Sequence, residues 1–252
     1  MASRSSSFPA AVLRSRESPA GDRIVQLLCS AGIVDAFAFG GPKSKLRSLA
    51  SPWHSGTAWI YEDKARGLVK LTDFDADEEF PRIRTDLSAI GAASLAAEFI
   101  MASDALGGDG EFSRVLFVEL LRALDRAEHG IPDAALPQFC LRALRAMGVM
   151  PDARECASCA GEIGPRTVHS YSRRLGGFLC ERCAFHAEGP DPLLDLPAGA
   201  MAYIARSEAM EFGEAARAGL SVPALAALRA CTLDLIAKAA HGRLRSLESG
   251  LL

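Results

Sequence analysis

Two Cys-x-x-Cys pairs, Cys156 with Cys159 and Cys180 with Cys183, stand twenty residues apart and constrain this chain more than any other feature. Thiolates three residues apart on a tight turn can both reach one ion at about 2.3 Å, and two such knuckles complete a tetrahedron. The spacing is that of a four-cysteine zinc ribbon. It predicts one structural Zn2+ bound by Cys156, Cys159, Cys180 and Cys183 in a module spanning 152–188, with Gly161 and Gly176-Gly177 supplying the turns. A redox Cys-x-x-Cys ordinarily follows a strand and opens a helix within a βαβ unit, and neither pair has that setting. Four thiolates leave no open coordination position, so the metal is expected to hold the fold rather than to catalyse. Cys29, Cys140 and Cys231 lie in apolar segments and read as small buried hydrophobes. His169 and His186 sit near the knuckles, where four thiols already complete the shell.

Clustered thiols point to metal where the compartment is reducing. The Ser-rich start, Met1 to Pro9, has no apolar signal-peptide core. The longest apolar stretch, 87–106, approaches membrane-spanning length, but Glu98 and Asp104 interrupt it. A carboxylate inside a bilayer is costly, so a buried helix is the better expectation. The chain thus reads as cytoplasmic, with no membrane partner. Aromatic residues make up only 7%, so the core rests on Ala, Leu, Ile and Val, a mixture that favours helix. The net charge of −3 carries no overall basic signature. Its distribution does: residues 1–72 hold ten Lys or Arg against five acids, which permits an anionic partner for the N-terminal segment.

Five short strands are predicted in the first 75 residues, at Ala11 to Arg16, Ile24 to Cys29, Ile33 to Phe39, Thr57 to Tyr61 and Leu68 to Thr72. Turn residues separate them and no helical crossover intervenes, which suggests a small antiparallel barrel, or failing that an open meander. The acidic run Asp73 to Glu79 reads as a solvated linker ahead of Pro81. Beyond it the period becomes helical. Helices are expected at 87–107, 111–128, 137–148, 198–211 and 222–240, the last with Ser221 as N-cap and Pro223 in its first turn. The organisation expected is α+β, with a barrel domain at 1–80 and a helical domain at 81–252 that carries the zinc module.

Lys43, Lys45 and Arg47 place three cations within five residues, between the third and fourth predicted strands. Such a loop can contact phosphates without reading sequence. Phe37, Phe39, Trp53 and Trp59 are candidate base-stacking faces if they are exposed. No Walker-type Gly-x-x-x-x-Gly-Lys, His-Glu-x-x-His or Gly-x-Ser-x-Gly is present. Two alternatives stay open on residues alone. One is a nucleic-acid enzyme in which Asp73, Asp75, Asp77, Glu78 and Glu79 hold magnesium, with zinc only structural. The other is a protein adaptor without DNA affinity of its own.

The ordered motifs resemble one family. Val12-Leu13-Arg14, then Gly21-Asp22-Arg23-Ile24-Val25-Gln26-Leu27-Leu28, then Gly40-Gly41-Pro42-Lys43-Ser44-Lys45-Leu46 are similar to the N-terminal domain of the RecO recombination mediators. Phe139 to Pro151, leading into Cys156-Ala157-Ser158-Cys159, and Gly176-Gly177-Phe178-Leu179-Cys180-Glu181-Arg182-Cys183 resemble that family's later helix and its two knuckles. The resemblance implies an OB-fold barrel, a helical domain and an inserted four-cysteine zinc ribbon. It implies binding of single- and double-stranded DNA and annealing of complementary strands, without enzymatic activity. With a RecR-type partner, recombinase would be loaded onto strands coated by single-strand-binding protein, in a cytoplasmic, nucleoid-associated setting. By position, Lys43, Lys45 and Arg47 fall in the family's DNA-binding loop, and Arg14, Arg16 and Arg23 are further candidates.

Overall fold

The computed structural model describes residues 4–18, 21–39, 45–127, 134–164, 169–187 and 192–250. Two compact units emerge, Met1–Arg126 with Leu244–Leu252, and Ala127–Arg243. The helical segments between the barrel and Arg126 therefore belong to the barrel's unit, and the compact units do not divide near residue 80.

The first unit is built on β1 (Arg4–Glu17), β2 (Arg23–Cys29), β3 (Gly32–Ala38), β4 (Ser55–Asp63) and β5 (Leu68–Glu78), with the short helix α1 (Lys45–Leu49) between β3 and β4. The strands close in the order β1-β2-β3-β5-β4, and only the β3–β5 pair is parallel. This is an OB-fold barrel. Alternation explains its core. Val12, Val25, Leu27, Ala36, Ala58, Ile60, Leu71 and Phe74 point inward, and their sequence neighbours point out. Small Ala side chains at Ala10, Ala36, Ala38 and Ala58 leave room for Phe74 in so narrow an interior. Gly56 sits where β4 and β5 leave no room for a side chain, since a Cβ there would stand 1.9 Å from the Asp75 carbonyl oxygen.

One expectation is corrected here, and the first strand begins earlier than Ala11. The acidic run is strand rather than linker. Asp73, Asp75 and Asp77 face solvent, while Phe74 is buried and Ala76 packs partly against the core. The Ser-rich start is also strand, because Arg4 to Ala11 pair with Ser55 to Glu62 of β4.

After a 3-10 turn at Pro81–Thr85 come α2 (Leu87–Ala102), α3 (Asp104–Gly107) and α4 (Gly110–Arg126), and α10 (Arg245–Glu248) returns to this unit. Asp86 caps α2 by accepting from the Ala89 amide at 3.1 Å. Glu98, the carboxylate that argued against a membrane span, accepts from the Ser246 amide at 2.9 Å, where α10 begins. Among the described residues, no helix is long and apolar enough to cross a membrane. The expected run of helix to Gly107 stops early, because Asp104, Ala105 and Leu106 take left-handed φ values of 47°, 54° and 55°.

The second unit contains α5 (Ala135–Ala146), β6 (His169–Ser172), β7 (Gly177–Leu179), α6 (Glu181–Phe185), β8 (Leu194–Leu196), α7 (Ala198–Arg206), α8 (Phe212–Ala216) and α9 (Val222–Ala239). Phe139, Leu144, Met201, Ile204, Phe212, Leu228 and Ile236 form its helical core. The single helix expected over 198–211 is broken by a 3-10 turn at Ser207–Ala209, ahead of α8. Ser221 does cap α9, accepting from the Ala224 amide at 3.4 Å.

Candidate metal centre and nucleic-acid interface

Both knuckles belong to the second unit, and each is made by local backbone geometry. At the first, the Ala160 amide donates to the Cys156 carbonyl at 2.8 Å. The left-handed turn falls on Ala160, with φ 55°, and not on the expected Gly161. The second knuckle follows the β6–β7 hairpin, whose turn does use Gly176, at φ 64°. Cys180 immediately precedes α6 and Cys183 lies in its first turn. The Ala157 amide donates to the Phe178 carbonyl at 2.8 Å, which clamps one knuckle against the strand that leads to the other.

The four Sγ atoms all lie within 4.8 Å of one another, and Cys159 Sγ stands 3.9 Å from Cys180 Sγ. Four sulfurs bound tetrahedrally at about 2.3 Å would be about 3.8 Å apart, so the cluster matches a thiolate metal site. The electrostatics suit thiolates at Cys156 and Cys159, whereas the Cys159 and Cys180 sulfurs push the Cys183 thiol up to about 11. Partial burial works to raise the Cys156 pKa, but amide N–H groups of Cys180, Ser158 and Cys159 outweigh it and hold the thiol near 6. The Gly161 amide likewise lowers Cys159. The Arg182 guanidinium faces the same sulfurs, Cys159 first. Among the described residues, this is the only group of three or more His, Cys, Asp or Glu side chains whose ligand atoms converge. The acids of β5 do not converge, because alternation spreads them along one strand. His169 is engaged elsewhere, with Nε2 2.7 Å from the Gly164 carbonyl.

The sheet carrying the second knuckle has the order β7-β6-β8 and is fixed to α9 by a polar cluster. The buried Tyr171 hydroxyl donates to Asp234 Oδ2 at 2.7 Å, and Lys238 Nζ donates to the same oxygen at 2.6 Å. The other cysteines are buried as expected, and burial pushes the Cys140 and Cys231 thiols up to about 12.

Of the cations singled out in the sequence, those among the described residues belong to the barrel unit, on α1, β1 and β2. Gly40, Gly41, Pro42, Lys43 and Ser44 lie outside the described residues. Lys45 is exposed at the start of α1, and Arg47 is in the same helix. Arg14 and Arg16 project from the outer face of β1 into a cross-strand ladder. Arg14 Nε donates to Gln26 Oε1 at 3.0 Å, Gln26 Nε2 donates to Asp35 Oδ1 at 2.9 Å, and Arg16 stands 3.6 Å from Asp35. Arg23 opens β2, half-buried and opposite Glu17 and Ala38.

Of the four aromatics, Phe37, Phe39 and Trp59 share the barrel's outer face. The two Phe rings stack at 6.1 Å, and Lys70 Nζ lies 5.4 Å from the centre of Phe39. Trp53 is separate, with φ 70° and the Arg84 guanidinium 5.4 Å from its ring. Lys70 and Tyr61 were not singled out in the sequence. Their signal was the alternation of Trp59 with Tyr61 and of Lys70 with Thr72, readable only once the strand order is known.

A family model described as "Recombination protein O N terminal" matches residues 1–79, and one described as "Recombination protein O C terminal" matches residues 84–248. A "DNA repair protein RecO" from Anaeromyxobacter sp. (strain K) is 34% identical over 217 residues, covering 84% of this chain and 83% of the relative. A protein of the same name from Pelotomaculum thermopropionicum is 31% identical over 185 residues, covering 72% and 69%. Another, from Anaeromyxobacter sp. (strain Fw109-5), is 30% identical over 209 residues, covering 81% and 80%.

Proposed function

This chain belongs to the RecO family of DNA repair proteins, and on that footing we propose that it is a non-enzymatic recombination mediator. It binds single- and double-stranded DNA through its barrel and anneals complementary strands. With a RecR-type partner it helps load recombinase onto DNA coated by single-strand-binding protein, in the cytoplasm at the nucleoid. The observation that carries this is the closed OB-fold barrel of a RecO-family chain, with Lys45 exposed on α1 and Arg14 and Arg16 exposed on β1.

Lys43, Lys45 and Arg47 are the primary phosphate contacts in this proposal. Arg14, Arg16 and Arg23 add to them, with Arg16 partly offset by Asp35. Contacts of this kind release counterions, so affinity falls with salt at a slope of about −0.7 per phosphate on a single strand. Changing Lys43, Lys45 and Arg47 together to Ala should flatten the log–log slope by about 2. A triple variant that binds with unchanged affinity and slope would remove the loop from the interface.

Cys156, Cys159, Cys180 and Cys183 hold one Zn2+ in this account. When bound, the ion crosslinks two loops that have little core of their own. The chain's residues do the rest: amide N–H groups stabilise the thiolates and Tyr171 ties the sheet to α9. Metal analysis should return one zinc per chain, and Cys156→Ser should fold poorly. A Cys156→Ser protein with unchanged metal content and melting would contradict the assignment.

A further inference from the structure

The outer face of the barrel holds an aromatic surface that the basic loop does not explain. Phe37 of β3, Lys70 of β5 and Tyr61 of β4 lie in register across three neighbouring strands. Two residues further along the parallel pair stand Phe39 and Thr72, and the Thr72 hydroxyl donates to the Trp59 carbonyl at 3.0 Å. Phe37, Lys70 and Tyr61 form one row, and Phe39, Thr72 and Trp59 form a second beside it, in which an irregularity of β5 sets Asp73 rather than Thr72 opposite Trp59. Phe39 is 37% and Trp59 38% exposed, although both belong to a barrel whose interior is filled by Phe74, Leu71 and Ile60. Flat apolar rings held on strands, with a cation among them, suit the faces of unpaired bases.

The surroundings narrow the occupant. Asp73, Asp75 and Asp77 face solvent along β5, starting at Asp73, the register partner of Trp59. A duplex hides its base faces within the stack and presents phosphates outward. Against this face it would meet carboxylates at close range and gain no stacking. A single strand can turn its bases onto the rings and its phosphates away from the acids, towards Lys70.

We propose that these two rows form a base-stacking platform that selects single-stranded over double-stranded DNA. The inference rests on the DNA-binding reading above and adds to it a division of labour. The basic segment of Lys43, Lys45 and Arg47 contacts both forms, whereas the aromatic rows contact only unpaired bases.

The experiment compares binding of fluorescein-labelled oligo(dT) and of a mixed-sequence duplex at low salt, using wild type, Trp59→Ala, Phe39→Ala and the Lys43/Lys45/Arg47 triple variant. Each aromatic variant should weaken oligo(dT) binding about ten-fold and leave duplex binding within about two-fold, while the triple variant weakens both. A Trp53→Phe protein, in which Trp59 is the sole tryptophan, guards against misfolding of the alanine variants. Its emission should be quenched by oligo(dT) and not by duplex. Tight oligo(dT) binding without quenching, or equal losses on both DNAs, would overturn the platform and leave the mediator reading intact. A folded wild type that binds neither DNA would overturn both.

Discussion

Replacing Gly177 by alanine should loosen the hold of the four cysteines on the zinc proposed for them, without touching a ligand. Gly177 opens β7, which leads into Cys180, and it packs directly on the first knuckle. A Cβ added there would stand 2.7 Å from the Ala157 Cβ and 3.9 Å from the Pro151 Cβ. Carbon atoms pack at about 3.5–4.0 Å, so strand and knuckle must separate by about 1 Å. The Ala157 amide bond to the Phe178 carbonyl, at 2.8 Å, opposes that movement and would be stretched. Metal–ligand distances tolerate only about 0.2 Å, so the strain falls on the site. Overpacking of this kind costs about 1–3 kcal/mol, which corresponds to a metal affinity about 5- to 150-fold weaker. Competition against a chromogenic chelator at neutral pH measures it, with thermal melting of the zinc-loaded protein as a second readout. Gly164→Ala is the control, since a Cβ there meets nothing within 4 Å. A Gly177→Ala protein that keeps wild-type metal affinity and melting temperature would refute the reasoning.

Other predictions concern single contacts. Ala160→Gly should stabilise the zinc-loaded protein by about 1 kcal/mol, because an exposed alanine at φ 55° carries a strain that glycine lacks; denaturant titration reads it, and a loss of stability would contradict it. Tyr171→Phe removes a hydrogen bond to a carboxylate and should cost about 1.5–3 kcal/mol in the same titration, whereas a change near zero would show that Lys238 and Arg173 satisfy Asp234 without it. Burial lowers the His54 pKa below its ordinary 6.5, so the folded barrel takes up this proton less readily than the unfolded chain. Stability from this group is fully present above pH 6.5 and falls as pH drops below it. His54→Gln should flatten that acid limb, and an unchanged slope would remove His54 as its source.

Much of this architecture could be read from residue patterns, and the exceptions have physical reasons. The four cysteines were legible because a metal ribbon demands local spacing. The five barrel strands were legible from turn residues and alternating apolar positions. The end of β5 was obscured because Asp is a poor strand former, although Asp73-Phe74-Asp75-Ala76-Asp77 alternates with period two. Ser5 to Ser7 have no apolar pattern, and pairing with β4 alone makes them strand. Left-handed Ala105, Leu106 and Ala160 could not be foreseen, since alanine and leucine avoid that region unless packing or hydrogen bonds impose it. The rows containing Lys70 and Tyr61 needed the non-sequential β3–β5–β4 order, which no local pattern encodes.

The measurement that bears most directly on the mediator account is annealing of complementary oligonucleotides coated with single-strand-binding protein, with and without a RecR-type partner. The zinc-loaded protein should accelerate annealing, and the Lys43/Lys45/Arg47 triple variant should lose most of that acceleration. A folded, metal-replete protein that neither binds the strands at low salt nor speeds their pairing would contradict the account.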